Sequence, residues 1–346
     1  MTRVIDRTAE AVGAYGLDLD KTIPQSAGHL LLQMSRPDRS RLAGQWFGDT
    51  SPARVVARET QRRSGEDVQV AALDDGRLLQ PAGADRHIPV LHEVAAARGA
   101  TWVAHRAEKR GSVRRAHQDG QVVHTEVVRP TRLSATLAGA RVRVEAVRVP
   151  EVTAAGRAVG PTVARLHACP PPSTLGTHDA TDELVVTRRW LRQASDHRLL
   201  DGAGRLVRQR LEDAKRLLAD APCETAFLHR DLGEKQVVVD DGGVVGVLDL
   251  DLAATGEPAL DLVNLLVHLE LRSLQGLCSA TRDRACAEAV VDGYAPGLDT
   301  GRRVPAYVLT TRLRLAAVYA FRPGSAGLGR AWLTAGGPTD HTKERR

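Results

Sequence analysis

The stretch from Phe227 to Leu269, FLHRDLGEKQVVVDDGGVVGVLDLDLAATGEPALDLVNLLVHL, decides the fold. It opens on a short apolar entry and a charged loop, continues through two strands and a second charged turn, and closes on a helix. Val237 to Val239 and Val244 to Leu248 are β-branched and apolar runs, and Asp240-Asp241-Gly242-Gly243 between them is a hairpin signal. The hairpin brings two polar clusters near each other: His229, Arg230, Asp231 and Gln236 on one side, Asp249 and Asp251 on the other. Asp249 and Asp251 alternate at a strand end, so both are expected on one side of it. Two like carboxylates on one face repel unless a cation lies between them, which favours a metal there. One base and one or two metal ligands are the parts that phosphoryl transfer requires.

The ordered series His229, Asp231, Asp249, Gly256-Glu257-Pro258 and Asp261-Leu262 resembles the core of the aminoglycoside phosphotransferase and choline kinase-like family, a branch of the protein-kinase-like superfamily. That pattern is His-x-Asp, four residues, Asn, a later Asp, then Gly-Asp-Pro-x-x-Asp-Leu. Gln236 stands where Asn is usual and Glu257 where Asp is usual. The resemblance implies an α+β, two-lobed fold with a small antiparallel β lobe and a larger, mostly helical lobe. It implies ATP and magnesium as cofactors and a hydroxyl of a small molecule as acceptor. His229, Arg230 and Asp231 become the catalytic-loop positions, with Asp231 as the base and His229 orienting the loop through hydrogen bonds. Gln236 and Asp249 would hold magnesium, Asp251 would assist, and Asp261 would brace the loop from its helix. Taken alone, Asp231 reads as a turn aspartate bonding its own backbone. The series around it is what makes it a candidate base.

The 346 residues, 42% of them hydrophobic, suffice for two domains with separate cores. The start carries Arg3, Asp6, Arg7 and Glu10 with no apolar run, so no signal peptide is expected, and no stretch reaches the length of a membrane span. Cys169, Cys223, Cys278 and Cys286 show no disulfide or zinc spacing, which fits a reducing cytoplasm. Net charge is +6, but cations and acids are interspersed and only 3% of residues are aromatic. A nucleic-acid polymer is therefore not an expected partner, whereas a nucleotide needs only a few placed cations.

Residues 1–97 read as an N-terminal cap, with strands at His29–Met34 and Val68–Leu73 and an apolar knot at Leu42–Phe47 that would seat it on its neighbour. Residues 98–152 read as the small nucleotide-covering lobe. Its strands are Thr101–Arg106, Ser112–Ala116 and Gln121–Val128, and Arg110 and Arg114 are cations able to reach phosphate. Two features depart from the family pattern. Glu126 occupies the place of the phosphate-gripping lysine, where a carboxylate repels a polyphosphate. Beyond a helix-like Leu133–Ala140, the strand Val142–Val149 leads through Pro150 and Ala154-Ala155-Gly156 almost directly into a helix at Val159–His167, leaving little room for a hinge. An alternative follows from both: a kinase-like binding or regulatory protein with impaired catalysis. Residues 153–333 form the helical lobe, with helices at Thr187–Ala194, Ala203–Leu218, Pro258–Arg272, Ala285–Tyr294 and Pro305–Phe321. Arg312, Arg314 and Arg322 on or just after the last helix face either the active-site cleft or water, and water is the preferred reading. Residues 334–346 have the composition of a disordered tail.

Overall fold

The computed structural model describes residues 4–37, 41–48, 53–55, 70–73, 76–82, 101–104, 114–118, 121–125, 152–173, 175–219, 224–239 and 243–334. Among these the chain is α+β, small antiparallel sheets preceding a helical assembly. Helix α1 (Val4–Gly13) leads into β1 (Asp18–Ser26), β2 (His29–Ser35), β3 (Arg41–Phe47), β4 (Val70–Leu73) and β5 (Gly76–Ala82). These form one five-stranded sheet in the order β1-β2-β3-β5-β4. The Leu42–Phe47 knot is thus strand β3, and three strands join the two that the sequence pattern reveals.

This sheet is seated on helices far away in sequence. Ile5, Leu30, Leu32, Met34 and Trp46 share a core with Leu191, Leu313 and Phe321. Two polar contacts fix the seat: the Thr22 backbone N–H donates to the Phe321 carbonyl at 3.3 Å, and His197 Nε2 donates to the Ser26 carbonyl at 3.1 Å. The second sheet matches expectation, with β6 (Thr101–Ala104), β7 (Arg114–Gln118) and β8 (Gln121–Thr125) in sequential antiparallel order. Glu126, Arg110, Leu133–Ala140 and Val142–Val149 lie outside the described residues.

The helical part comprises α2 (Val152–Ala168), α3 (Ala180–Asp196), α4 (Gly204–Leu218), α5 (Pro258–Leu274), α6 (Ala280–Tyr294), α7 (Leu298–Ala320) and α8 (Ala326–Thr334). Helix α2 starts seven residues before the predicted Val159. Gly156 reads locally as a link, but it is a contact surface: a Cβ there would lie 2.7 Å from the Cys286 carbonyl, and one on Gly160 would lie 2.4 Å from that of Val290. The two glycines let α2 and α6 cross nearly backbone to backbone. Helix α5 is buried along most of its first three turns, Asp261 and Asn264 included. Leu260, Val263 and Val267 pack with Leu228 and Tyr307, while Leu262 and Leu265 pack with Val163, Leu232 and Val290. Each fully buried leucine contributes roughly 1.5–3 kcal/mol, so α5 is the rigid element from which a neighbouring loop can be held. Pro258 occupies its first turn, where the missing N–H costs nothing.

Candidate active site

The loop His229–Gln236 is suspended between short strands. Strand β9 (Thr177–His178) runs parallel to β13 (Ala254–Gly256), β10 (Ala226–Leu228) pairs antiparallel with β13, and β11 (Val237–Val239) pairs with β12 (Val245–Val247), Val237 opposite Val247. The loop therefore leaves one small sheet and enters another, and its own backbone groups need partners from elsewhere. Asp261, fully buried in the first turn of α5, supplies them. Its Oδ2 accepts the His229 N–H at 2.6 Å and its Oδ1 accepts the Arg230 N–H at 2.7 Å. Asn264, one turn along and equally buried, donates through Nδ2 to the Arg230 carbonyl at 3.1 Å. Arg230 sits between these bonds at φ 70°, the left-handed region that a β-carbon disfavours. The bracing role expected of Asp261 corresponds to this geometry.

His229 is buried, and both ring nitrogens are engaged by backbone groups. Nε2 donates to the Leu248 carbonyl at 2.7 Å, so Nδ1 is the acceptor for the Asp231 N–H at 3.3 Å. An imidazole with both nitrogens taken by the backbone orients the loop and is poorly placed to carry a proton. The Leu248 N–H in turn donates to the Gln236 carbonyl at 2.8 Å. Leu248, the residue before Asp249, is thus clasped by both ends of the loop.

The expectation that Asp249 and Asp251 share a strand face is overturned. Strand β12 ends at Val247, Asp249 takes φ 66° and ψ 58°, and Leu250–Leu252 form a turn of 3-10 helix, so two-residue alternation does not extend to Asp251. The Asp251 side chain lies outside what is described. Asp249 and Gln236 remain as one carboxylate and one amide oxygen, hard donors of the kind magnesium takes together with water and phosphate. Room for the longer amide comes from Gly233: a Cβ there would lie 3.1 Å from Gln236 Oε1 and 3.2 Å from the His268 ring. Among the described residues, no group of three or more His, Cys, Asp or Glu forms a metal cluster. Of the two arginines expected to reach phosphate, Arg114 opens β7 opposite Thr125 and Ala104, its side chain outside the described set.

Several supporting residues escape local sequence reading because their partners lie on other elements. His167 of α2 donates from Nε2 to Asp261 Oδ2 at 3.2 Å and accepts from the Tyr294 hydroxyl at 2.8 Å. Arg303 forms a buried two-bond pair with Glu257, at 2.6 and 2.8 Å, and also donates to the Leu217 carbonyl at 3.2 Å. Glu257 at the start of α5 therefore serves an ion pair rather than a cap, consistent with its lack of a capping hydrogen bond.

Arg312 and Arg314 do not face water. Arg312 pairs with Glu270 at 2.9 Å and is buried. Arg314 donates to Asn264 Oδ1 and lies 3.4 Å from Glu183 Oε1. Arg322 stacks its guanidinium over Tyr319 at 4.9 Å. The available sequence signal was three arginines inside or just after an otherwise apolar helix, which demands buried acids elsewhere. Burial alone would raise the Glu183 pKa, but the His178 hydrogen bond and the charges of Arg314 and Arg230 win and lower it. Burial draws the Arg230 guanidinium pKa down, against the opposing charge of Glu183. Downstream in the loop, Glu234 is held by Arg272 and His268.

No curated protein matches the chain. Solved structures align along nearly its whole length with low similarity. The macrolide 2'-phosphotransferase MphH from Brachybacterium faecium is 17% identical, covering 96% of this chain and 99% of its own, with a TM-score of 0.34. The amicoumacin kinase hAmiN is 10% identical over 95% and 92%, with a TM-score of 0.41. A choline/ethanolamine kinase family protein from Mesorhizobium loti is 15% identical over 91% and 88%, with a TM-score of 0.36. The assignment rests instead on the family model described as the phosphotransferase enzyme family, APH, which matches residues 128–304, just over half of the sequence and the whole of the loop, hairpin and bracing helix. The chain belongs to the APH phosphotransferase enzyme family.

Proposed function

We propose that this phosphotransferase family member uses ATP and magnesium to transfer the γ-phosphoryl group to a hydroxyl of a small molecule. The observation that carries the reading is the double clasp of the loop: Asp261 on the His229 and Arg230 amides, and Leu248 between His229 and Gln236. It presents Asp231 and Asp249 from rigid supports, and phosphoryl transfer depends mainly on positioning and charge. Asp231 orients the acceptor hydroxyl and takes its proton as the oxygen attacks. Gln236 and Asp249 would hold magnesium, with Asp251 assisting; when bound, the ion neutralises phosphate charge. Arg110 and Arg114 supply positive charge from residues 98–152, which we read as the nucleotide-covering lobe ahead of a helical lobe at 153–333. His229 and Arg230 act by shaping the loop.

No helix among the described residues is long and apolar enough to cross a membrane. We place the protein in the cytoplasm, with a nucleotide and a small hydroxyl compound as its partners.

A second reading, a kinase-like binding or regulatory protein impaired in holding ATP and in catalysis, is favoured by Glu126 at the position where the family pattern has its phosphate-gripping lysine. Calorimetry with ATP and magnesium on wild type and Asp249→Ala separates the two. Metal-dependent binding that the variant loses supports the enzyme. Absence of binding at millimolar ATP would favour the second reading.

A further inference from the structure

We propose that Asn264 and Arg314 are positioning residues for the transfer, fixing the left-handed turn at Arg230 that aims Asp231. The inference rests on the functional reading above. A non-glycine residue at φ 70° persists only where its surroundings over-determine it. Asp261 secures the Arg230 N–H, whereas the peptide on the far side of Arg230 is held at its N–H end by the long, 3.3 Å bond from Asp231 N–H to His229 Nδ1. That peptide carries the Arg230 carbonyl and the Asp231 N–H, so its orientation sets the direction in which Asp231 leaves the turn. Asn264 Nδ2 holds this carbonyl at 3.1 Å.

The amide of Asn264 is itself oriented, because Arg314 donates to Oδ1 and thereby turns Nδ2 toward the loop. Arg314 is anchored in turn: its Nε lies 3.4 Å from Glu183 Oε1, and Glu183 Oε2 accepts from His178 Nε2 at 3.1 Å. Asn264, Glu183 and His178 are each at most 5% exposed. The relay runs from α3 through α7 and α5 and ends on the backbone carbonyl one residue before Asp231. The relay reaches the loop through the hydrogen bond from Asn264 to the Arg230 carbonyl. Its effect on the chemistry is through the turn.

Asn264→Asp tests this with little change in shape. The new carboxylate keeps Arg314 as a partner but turns an acceptor, in place of a donor, toward the Arg230 carbonyl. We expect kcat to fall about 10- to 100-fold, the range a misplacement of about 1 Å produces. KM for ATP should stay within about twofold. Amide exchange should quicken at residues 229–232 while α3 and α7 keep their protection. Glycine adopts φ 70° without strain, so in an Arg230→Gly background the added Asn264→Asp loss should shrink to below about threefold. An equal loss in both backgrounds, or unchanged kcat and unchanged loop exchange, overturns the proposal. If wild type transfers no phosphoryl group to any acceptor, the functional reading fails. Loop exchange then still decides the positioning claim: quickened exchange confined to residues 229–232 supports it, and unchanged exchange refutes it.

Discussion

Replacing Asp261 by Asn removes the centre of the loop's support at almost constant volume. The carboxylate is fully buried and accepts three hydrogen bonds, at 2.6 Å from the His229 N–H, 2.7 Å from the Arg230 N–H and 3.2 Å from His167 Nε2. Hydrogen bonds to a charged acceptor contribute about 1.5–3 kcal/mol each. Asparagine keeps one acceptor oxygen and sets an N–H₂ against a backbone N–H, so one strong bond is lost and one buried donor is orphaned. The expected cost is about 2–4 kcal/mol, read as a lowered urea midpoint by tryptophan fluorescence. His167→Phe should cost about 1–2 kcal/mol, because it deletes the longest of the three bonds together with the one from the Tyr294 hydroxyl. In the Asp261 variant, amide exchange should quicken first at His229 and Arg230, ahead of the rest of the protein. A destabilisation below about 1 kcal/mol, with both amides as protected as in wild type, would refute the reasoning that Asp261 holds the turn.

Arg303→Met leaves Glu257 buried without its partner and strips a donor from the Leu217 carbonyl. It should destabilise by about 3–5 kcal/mol in the same urea assay, and Arg303→Met with Glu257→Leu should recover much of that loss. Asp283 supplies a pH test. Its carboxyl is half-buried, and burial together with the nearby Glu270 charge raises its pKa from 3.8 to about 6. The folded state therefore holds the proton more tightly than the unfolded chain, and stability falls as pH rises from about 4 through about 6. Asp283→Asn should stabilise the protein above pH 6 by about 1 kcal/mol, allowing for solvent screening at a half-exposed site, and should change little at pH 4. Thermal unfolding at pH 4 and pH 8 compares the two.

The part of the site legible in the sequence is local. His229, Asp231, Gln236 and Asp249 fall within one loop and one hairpin, and the turn signal between Val239 and Val245 was sufficient to pair the strands. Helices with a buried stripe, such as α4 and α5, announce themselves by period. What escaped reading depends on distant partners. Strand β1 carries Lys21, Thr22 and Pro24, a weak strand pattern whose buried Thr22 is satisfied by the carbonyl of Phe321. Gly156 resembles a breaker until α6 is seen against it. Arg312 and Arg314 resemble surface charge because Glu270, Glu183 and Asn264 lie on other helices. Beyond Val247 the strand pattern was read four residues too far, to Asp251, and the left-handed turn at Asp249 carries no glycine to advertise it.

The most direct test of the account measures ADP release by wild type and Asp231→Ala, with ATP, magnesium and a panel of small hydroxyl compounds. Acceptor-dependent ADP formation that falls about 10²- to 10⁴-fold in the variant, with ATP binding retained, is the predicted result. Transfer undiminished in Asp231→Ala would contradict the central claim.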